Sequence, residues 1–258
     1  MTTGEATLAL VDDPGAAWPR VAVVTNAGRY AGPGAVPALL KAGFTVLCHD
    51  EDFADETRRA AFESAHPGAV ACKHRTPGRT ITQAVREHGR IDLLVSNDTY
   101  PLHYRPVDES DTGDLRQAAE SLLVTPIDLV ARAAEHMKRQ GSGHIVLITS
   151  AAPDAAQPGF AVYSSLRAGA SAFAQAAARE LAPYKITVHA IAPNFLESEL
   201  YYPEEIWDTD EGRDRLKALV PAGRLGTKQE IGELIVFLSG CSACFLTGDV
   251  IKFTGGWP

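Results

Sequence analysis

Seven short apolar runs, rich in β-branched residues and spaced along the whole chain, constrain the fold more than any other feature. They are Val21–Val24, Phe44–Cys48, Ala69–Cys72, Ile91–Val95, His144–Ile148, Ile186–Ile191 and Val250–Phe253. Near-continuous apolarity, rather than strict alternation, suits strands covered on both faces, which is the habit of a parallel sheet. Amphipathic stretches of helical length lie between the runs: Gly34–Ala42, Phe53–Ala65, Thr80–His88, Leu115–Arg139, Tyr163–Leu181 and Lys228–Leu238. Strand and helix in alternation predict an α/β fold, a Rossmann-like, doubly wound, seven-stranded parallel sheet. No Ser/Gly linker and no solenoid-length repeat divides it, so residues 20–258 are expected to form a single domain. Residues 1–19 lack periodicity and read as a flexible tail.

Charge and composition exclude several classes of function. Lys and Arg number 24 against 32 Asp and Glu, a net charge of −8, which argues against nucleic acid and against an anionic membrane surface as partners. No apolar run approaches the roughly 18–20 residues needed to span a bilayer. The first residues carry Glu5, Asp12 and Asp13 and no basic residue before Arg20, unlike a secretory signal. Four cysteines are too few for a disulfide framework, and a cytoplasmic location is expected. Cys241 and Cys244 form a single Cys-x-x-Cys without a second pair, and the histidines show no helical metal spacing, so no metal is expected.

In open α/β sheets ligands bind beyond the carboxyl ends of the strands, and the chain concentrates its unusual residues there. Ser150 closes the fifth run. Tyr163 and Arg167 follow, four residues apart and therefore on one helical face. A guanidinium beside a phenol favours the phenolate and fits the pair for general-base work, while Ser150 can donate a hydrogen bond to a substrate oxygen. An exposed Tyr–Arg surface pair is the plain alternative. Asp98 ends the fourth run, either as a proton acceptor or as an Asx-turn cap. Asp50 ends the second, where an acid would hold the ribose of NAD; a solvated loop acid fits equally. After the sixth run, residues 194–226 break the alternation with Tyr201, Tyr202, Pro203, Trp207 and Pro221, a length that predicts a functional, partly helical lid.

From Arg20 to Trp257 the chain resembles the short-chain dehydrogenase/reductase family, whose C-terminal helix, Thr-Gly turn and last strand are similar to Ile231–Gly256. That family uses Ser, Tyr and Lys with a nicotinamide cofactor. Here Arg167 takes the Lys position, Leu122 the position of the helix Asn, and Ser96-Asn97-Asp98-Thr99 the place of Asn-Asn-Ala-Gly. The Thr-Gly-xxx-Gly-x-Gly turn reads Thr25-Asn26-Ala27-Gly28-Arg29-Tyr30-Ala31-Gly32. Glycines there let backbone N–H groups approach a pyrophosphate; Asn26 and Tyr30 replace two of them. Together these departures resemble the halohydrin dehalogenases, a cofactor-free offshoot with a Ser–Tyr–Arg triad. The similarity extends to Cys48-His49-Asp50, Arg167-Ala168-Gly169-Ala170 and Pro193-Asn194-Phe195-Leu196.

The resemblance implies catalytic Ser150, Tyr163 and Arg167, with Asp98 accepting protons relayed from Tyr163 through Arg167 and water. It implies no cofactor and a homotetramer. The substrates implied are halohydrins and epoxides, with halide, azide, cyanide or nitrite as the exchanging anion. Halide and substrate would meet Tyr30, Pro193, Asn194, Phe195 and Leu196. Successive N–H groups in the turn Asn194–Leu196 can form an anion-binding concavity, and the edges of the Phe195 and Tyr30 rings carry partial positive charge. As alternatives, Pro193–Leu196 is a simple strand exit, and the protein an NAD(P)-dependent alcohol oxidoreductase or a non-catalytic Rossmann-like protein. The chain stops at Trp257-Pro258, without the longer tail that in some members reaches a neighbouring subunit's site.

Overall fold

The structure, a computed structural model, describes residues 19–203, 207–240 and 245–258. The first 18 residues of the expected tail, and Cys241 and Cys244, lie outside the described residues. Seven strands form one sheet: β1 (Val21–Val24), β2 (Thr45–His49), β3 (Ala69–Cys72), β4 (Leu93–Ser96), β5 (Gly143–Ile148), β6 (Ile186–Pro193) and β7 (Val250–Phe253). Their order is β3-β2-β1-β4-β5-β6-β7, and every pairing is parallel. Strand order reverses between β1 and β4, which makes their carboxyl ends the topological switch point.

Helices cover both faces, which explains why β1, β4 and β6 are buried along their whole length. Alternate residues face opposite sides. Ala22, Val24 and Val95 pack with α1 (Gly32–Lys41) and α8 (Lys228–Leu238). Val21, Val23 and Leu94 pack on the other side with α3 (Gly78–His88), α5 (Thr125–Gln140) and α6 (Ala161–Leu181). The helices α1 and α8 touch backbone to backbone: a Cβ on Gly34 would stand 1.9 Å from the Lys228 carbonyl oxygen, and one on Gly232 2.3 Å from that of Gly34. Only glycine fits at either place.

Two helices differ from the sequence reading. The stretch expected to run unbroken from Leu115 to Arg139 is α4 (Thr112–Ala119), a π-helical turn at Glu120–Val124, and then α5. Pro126 has no N–H to offer the carbonyl four residues back, and the Thr125 N–H instead reaches five residues back to Glu120. The stretch from Phe53 is a short 3-10 turn at Glu51–Ala54 followed by α2 (Glu56–Ala65), because the Asp55 carboxylate caps Thr57 and Arg58. Segment 194–226 contains one helix among its described residues, α7 (Asp210–Leu219), capped by Thr209. No helix among the described residues is long and apolar enough to cross a membrane.

Candidate active site

At the switch point the turn after β1 is closed by the protein's own groups. The Ala27 N–H donates to the His49 carbonyl (2.9 Å), that of Arg29 to Asn26 (3.0 Å) and that of Gly32 to Arg29 (2.8 Å). The Gly28 N–H donates to the Asp50 carboxylate at 3.1 Å, and the Ala31 N–H to the Asn97 side chain at 3.4 Å. Asn97 staples the turn further through Nδ2, bonded to the carbonyls of Asn26 at 3.0 Å and Arg29 at 2.8 Å. The turn keeps its left-handed backbone at both replaced glycines, φ 46° at Asn26 and 49° at Tyr30. Such angles are costly for a bulky residue. The Tyr30 ring is 5% exposed and meets Tyr201 edge-on at 5.0 Å.

Beyond β5 and β6 the same edge holds a cavity of about 360 Å³. Ser150, Tyr163, Tyr30, Pro193, Asn194 and Phe195 all line it, so the structure brings most of the expected site together. The Ser150 Oγ accepts from the Ala152 N–H at 3.1 Å, which leaves its own O–H free to donate. Tyr163 packs against the apolar cluster of Ala118, Leu122 and Leu166, to which the residue at the helix-Asn position belongs.

Arg167 lies behind Tyr163, its Cζ 5.3 Å from the ring centre, and is 1% exposed. Its Nη1 and Nη2 donate to the carbonyls of Ile148 (3.0 Å) and Asp98 (2.9 Å). Burial opposes its charge, but the surrounding phenols of Tyr163, Tyr201 and Tyr30 outweigh that and hold its pKa above the ordinary value. It is a fixed positive charge. The expected link to Asp98 takes another form. Arg167 bonds the main chain of Asp98, whereas its carboxylate accepts from the Ser96 hydroxyl and makes no Asx turn. Burial, countered by Ser96 and Arg167, pushes that carboxyl up to about 6.

The loop after β6 departs from expectation in its donors. The Asn194 N–H is taken by the Phe253 carbonyl at 3.1 Å, as β7 pairing continues past the strand end. The Phe195 N–H is taken by the side-chain oxygen of Asn194 at 3.1 Å. The expected three-donor concavity is thus corrected: of its N–H groups only that of Leu196 has no partner among the described residues. Leu196 itself is fully buried in the core cluster that includes Tyr30, rather than lining the cavity. Asn194 Oδ1 also accepts from Tyr202, so its Nδ2 is the amide group left over. Phe195 sits at φ 57° inside an aromatic cage of Tyr202 (5.3 Å), Trp207 (6.3 Å) and Trp257 (5.9 Å between ring centres). Burial raises the pKa of Tyr30, and pushes Tyr201 and Tyr202 each up to about 12. These three phenols stay neutral donors near neutrality.

The model of the enoyl-(acyl carrier protein) reductase family matches residues 32–258. The chain belongs to this short-chain dehydrogenase/reductase family. A solved structure described as a dehalogenation enzyme is 37% identical over 93% of this chain and 98% of its own, with a TM-score of 0.89. A halohydrin dehalogenase, HheC, solved with ethyl (2S)-oxiran-2-ylacetate, is 39% identical over 92% of this chain and 97% of its own, also at 0.89. The cis-4-hydroxycyclohexanecarboxylate dehydrogenase of Sinomonas cyclohexanicum is 29% identical over 92% of this chain and 96% of its own. The chain is thus an enzyme of the short-chain dehydrogenase/reductase type that resembles the halohydrin dehalogenases within it.

The residues present do not fit the nicotinamide dinucleotide that the wider family uses. A pyrophosphate needs free N–H groups and open space at the first turn. Here those of residues 27, 28, 29, 31 and 32 are bonded internally, and a buried phenol fills the position of the second glycine. Asp50, the residue placed to hold a ribose, is 2% exposed and faces Gly28 and Asp52. Among the described residues no cluster of His, Cys, Asp and Glu could hold a metal ion.

Sequence reasoning passed over several residues of the site. Trp257 and Phe160 line the cavity; nothing local marks them, because each arrives by tertiary packing. Asn97, the staple of the closed turn, is the Asn retained in Ser96-Asn97-Asp98-Thr99 and was legible as such. Tyr201 and Tyr202 were visible as adjacent aromatics in a long loop, which is a signal in itself.

Proposed function

We propose that the enzyme converts vicinal halohydrins to epoxides with release of halide and a proton, and opens epoxides with small anions in reverse, without a nicotinamide cofactor. The observation that carries this reading is the pairing of a first turn whose N–H groups are bonded internally with an open cavity holding Ser150 and Tyr163. The Ser150 O–H and Tyr163 hold the substrate hydroxyl, and Tyr163 takes its proton. The oxygen attacks the neighbouring carbon from behind: a C–O bond forms, the C–halogen bond breaks, and its electron pair leaves with the halide. No hydride moves.

Arg167 supplies fixed positive charge behind the phenol, which stabilises negative charge arising there. The departing anion meets Asn194 Nδ2 and the edges of the Phe195 and Tyr30 rings, which line the cavity. The proton leaves by water, and in this reading Asp98, whose carboxyl burial pushes up to about 6, receives it. The reading extends to a cytoplasmic homotetramer.

A dehydrogenase remains the second reading, favoured by curated relatives such as the Sinomonas enzyme and by the retained Ser150 and Tyr163. Titration calorimetry with NADH and NADPH separates the two: micromolar binding would overturn the dehalogenase reading. In the reverse direction, azide should consume an epoxide to give an azido-alcohol, and bromide should suppress this. Phe195→Ala should weaken bromide inhibition more than it weakens binding of a halogen-free alcohol. If halohydrin is dehalogenated while azide opens no epoxide, the anion leaves elsewhere.

A further inference from the structure

Arg215 is the only charged side chain among the residues lining the cavity, in a chain whose net charge is −8. Its neighbours on α7 are spent on ion pairs: Arg213 with Asp208 and Asp210 at 2.7 Å, and Lys217 with Asp214 at 3.1 Å. Glu211 stands four residues before Arg215, the spacing at which a helical ion pair forms, yet no such pair is made. The guanidinium lies instead over the Trp207 ring, Cζ 5.4 Å from its centre. Stacking of this kind restrains the side chain while leaving its N–H fork free. Leu219, one turn on, lines the cavity as well, so one face of α7 presents a cation and an apolar group to the same space.

Distance from the reacting end gives this cation its meaning. Trp207 stands edge-on to Phe195 at 6.3 Å, and Phe195 belongs to the loop assigned to the leaving anion. Arg215 therefore lies one aromatic ring, that of Trp207, beyond Phe195. A planar guanidinium with free donors matches a carboxylate by two parallel hydrogen bonds.

We propose that the substrates of this enzyme carry a carboxylate, held by Arg215 at the cavity mouth: halohydrin acids and their epoxy acids. This rests on the halohydrin reading of the site. Positive charge at a mouth whose described lining residues include no carboxylate also draws an anionic substrate in.

The test compares 4-chloro-3-hydroxybutanoate with its ethyl ester, following chloride release by wild type, Arg215→Gln and Arg215→Lys. Arg215 is exposed on α7, so circular dichroism should show each variant folded. Wild type should favour the acid in kcat/KM by about tenfold, the scale of one charge-assisted pair. Arg215→Gln should cut the acid-to-ester ratio by at least about tenfold, through KM rather than kcat, and Arg215→Lys should restore part of it. The acid's KM alone should rise with added sodium sulfate. An unchanged ratio in Arg215→Gln overturns the proposal while leaving the halohydrin reading intact. A change in bromide inhibition of the same size with both substrates also overturns it, by assigning Arg215 to the inorganic anion. Failure of acid and ester alike to release chloride overturns the halohydrin reading itself.

Discussion

Between β1 and β4 the carboxyl edge of the sheet is packed with the protein's own groups, while beyond β5 and β6 the same edge holds a cavity of about 360 Å³. In the first region the polar atoms face each other: five N–H groups of one turn find carbonyls, Asp50 or Asn97. In the second, the Ser150 O–H and the Asn194 amide have no acceptor among the described residues. Buried donors without partners are costly, so a region that keeps them is one that meets a ligand. Strain divides differently: left-handed non-glycine residues occur in both regions, at Asn26 and Tyr30 and at Phe195. At the first turn it holds Asn26 and Tyr30 on a backbone path that glycine would adopt freely. At Phe195 it aims a ring into the cavity. The lesson is that one sheet edge can satisfy its polar groups from within at one place and leave them facing a cavity at another, on a single topology.

The largest effect that would break this comparison is at Tyr163. Tyr163→Phe keeps the ring against the apolar cluster of Leu122 and removes the proposed proton acceptor, and kcat for halide release should fall by roughly 10²–10⁴-fold with little change in Tm. A variant that retains near-native turnover places the base elsewhere.

Asn97 probes the other region. Asn97→Ala leaves the carbonyls of Asn26 and Arg29 and the Ala31 N–H without their partner, and should cost about 2–4 kcal/mol of stability in urea unfolding. Because the closed turn has a structural role here, any turnover lost should be recovered at lower temperature. A variant as stable as wild type that binds NADH would show the first region to be a latent nucleotide site.

Asp98 gives a smaller effect of definite sign. Its folded pKa, about 6, lies above the 3.8 of a free aspartate, so the native state holds more protons than the unfolded one between those values. Stability from this group is full below pH 3.8 and is lost as pH rises through 6. Asp98→Asn, which still accepts from Ser96, should flatten that slope and raise stability at pH 8 by on the order of 1–2 kcal/mol. It should also shift the acid limb of the pH–rate profile. An unchanged slope would mean that Asp98 is solvated or ionised at lower pH than its burial implies.

Much of the architecture was legible because apolar runs and helical periodicity are local properties. Strands β1, β3 and β7 fall on the runs that predict them, and Ser150, Tyr163 and Arg167 stand as their spacing requires. The π turn at Glu120–Val124 was not legible, since one added residue within a long amphipathic stretch scarcely disturbs its periodicity; Pro126 was the only hint. The spent donors of Asn194 and Phe195 were hidden for another reason. Whether an N–H is free depends on where β7 ends and which way an amide side chain turns, and both are settled by tertiary packing. Arg215 illustrates the same limit, because helical spacing pairs it with Glu211 and only the position of Trp207 draws it to the cavity.

The claim that the two regions divide so completely is tested most directly by chloride release from a vicinal chloro-alcohol. The enzyme is first freed of nucleotide by unfolding and refolding. The account predicts that chloride, epoxide and acid appear in equal amounts over many turnovers, and that added NAD⁺ or NADP⁺ changes neither rate nor product. Turnover that requires the nucleotide, and yields a ketone with reduced nicotinamide, would contradict it.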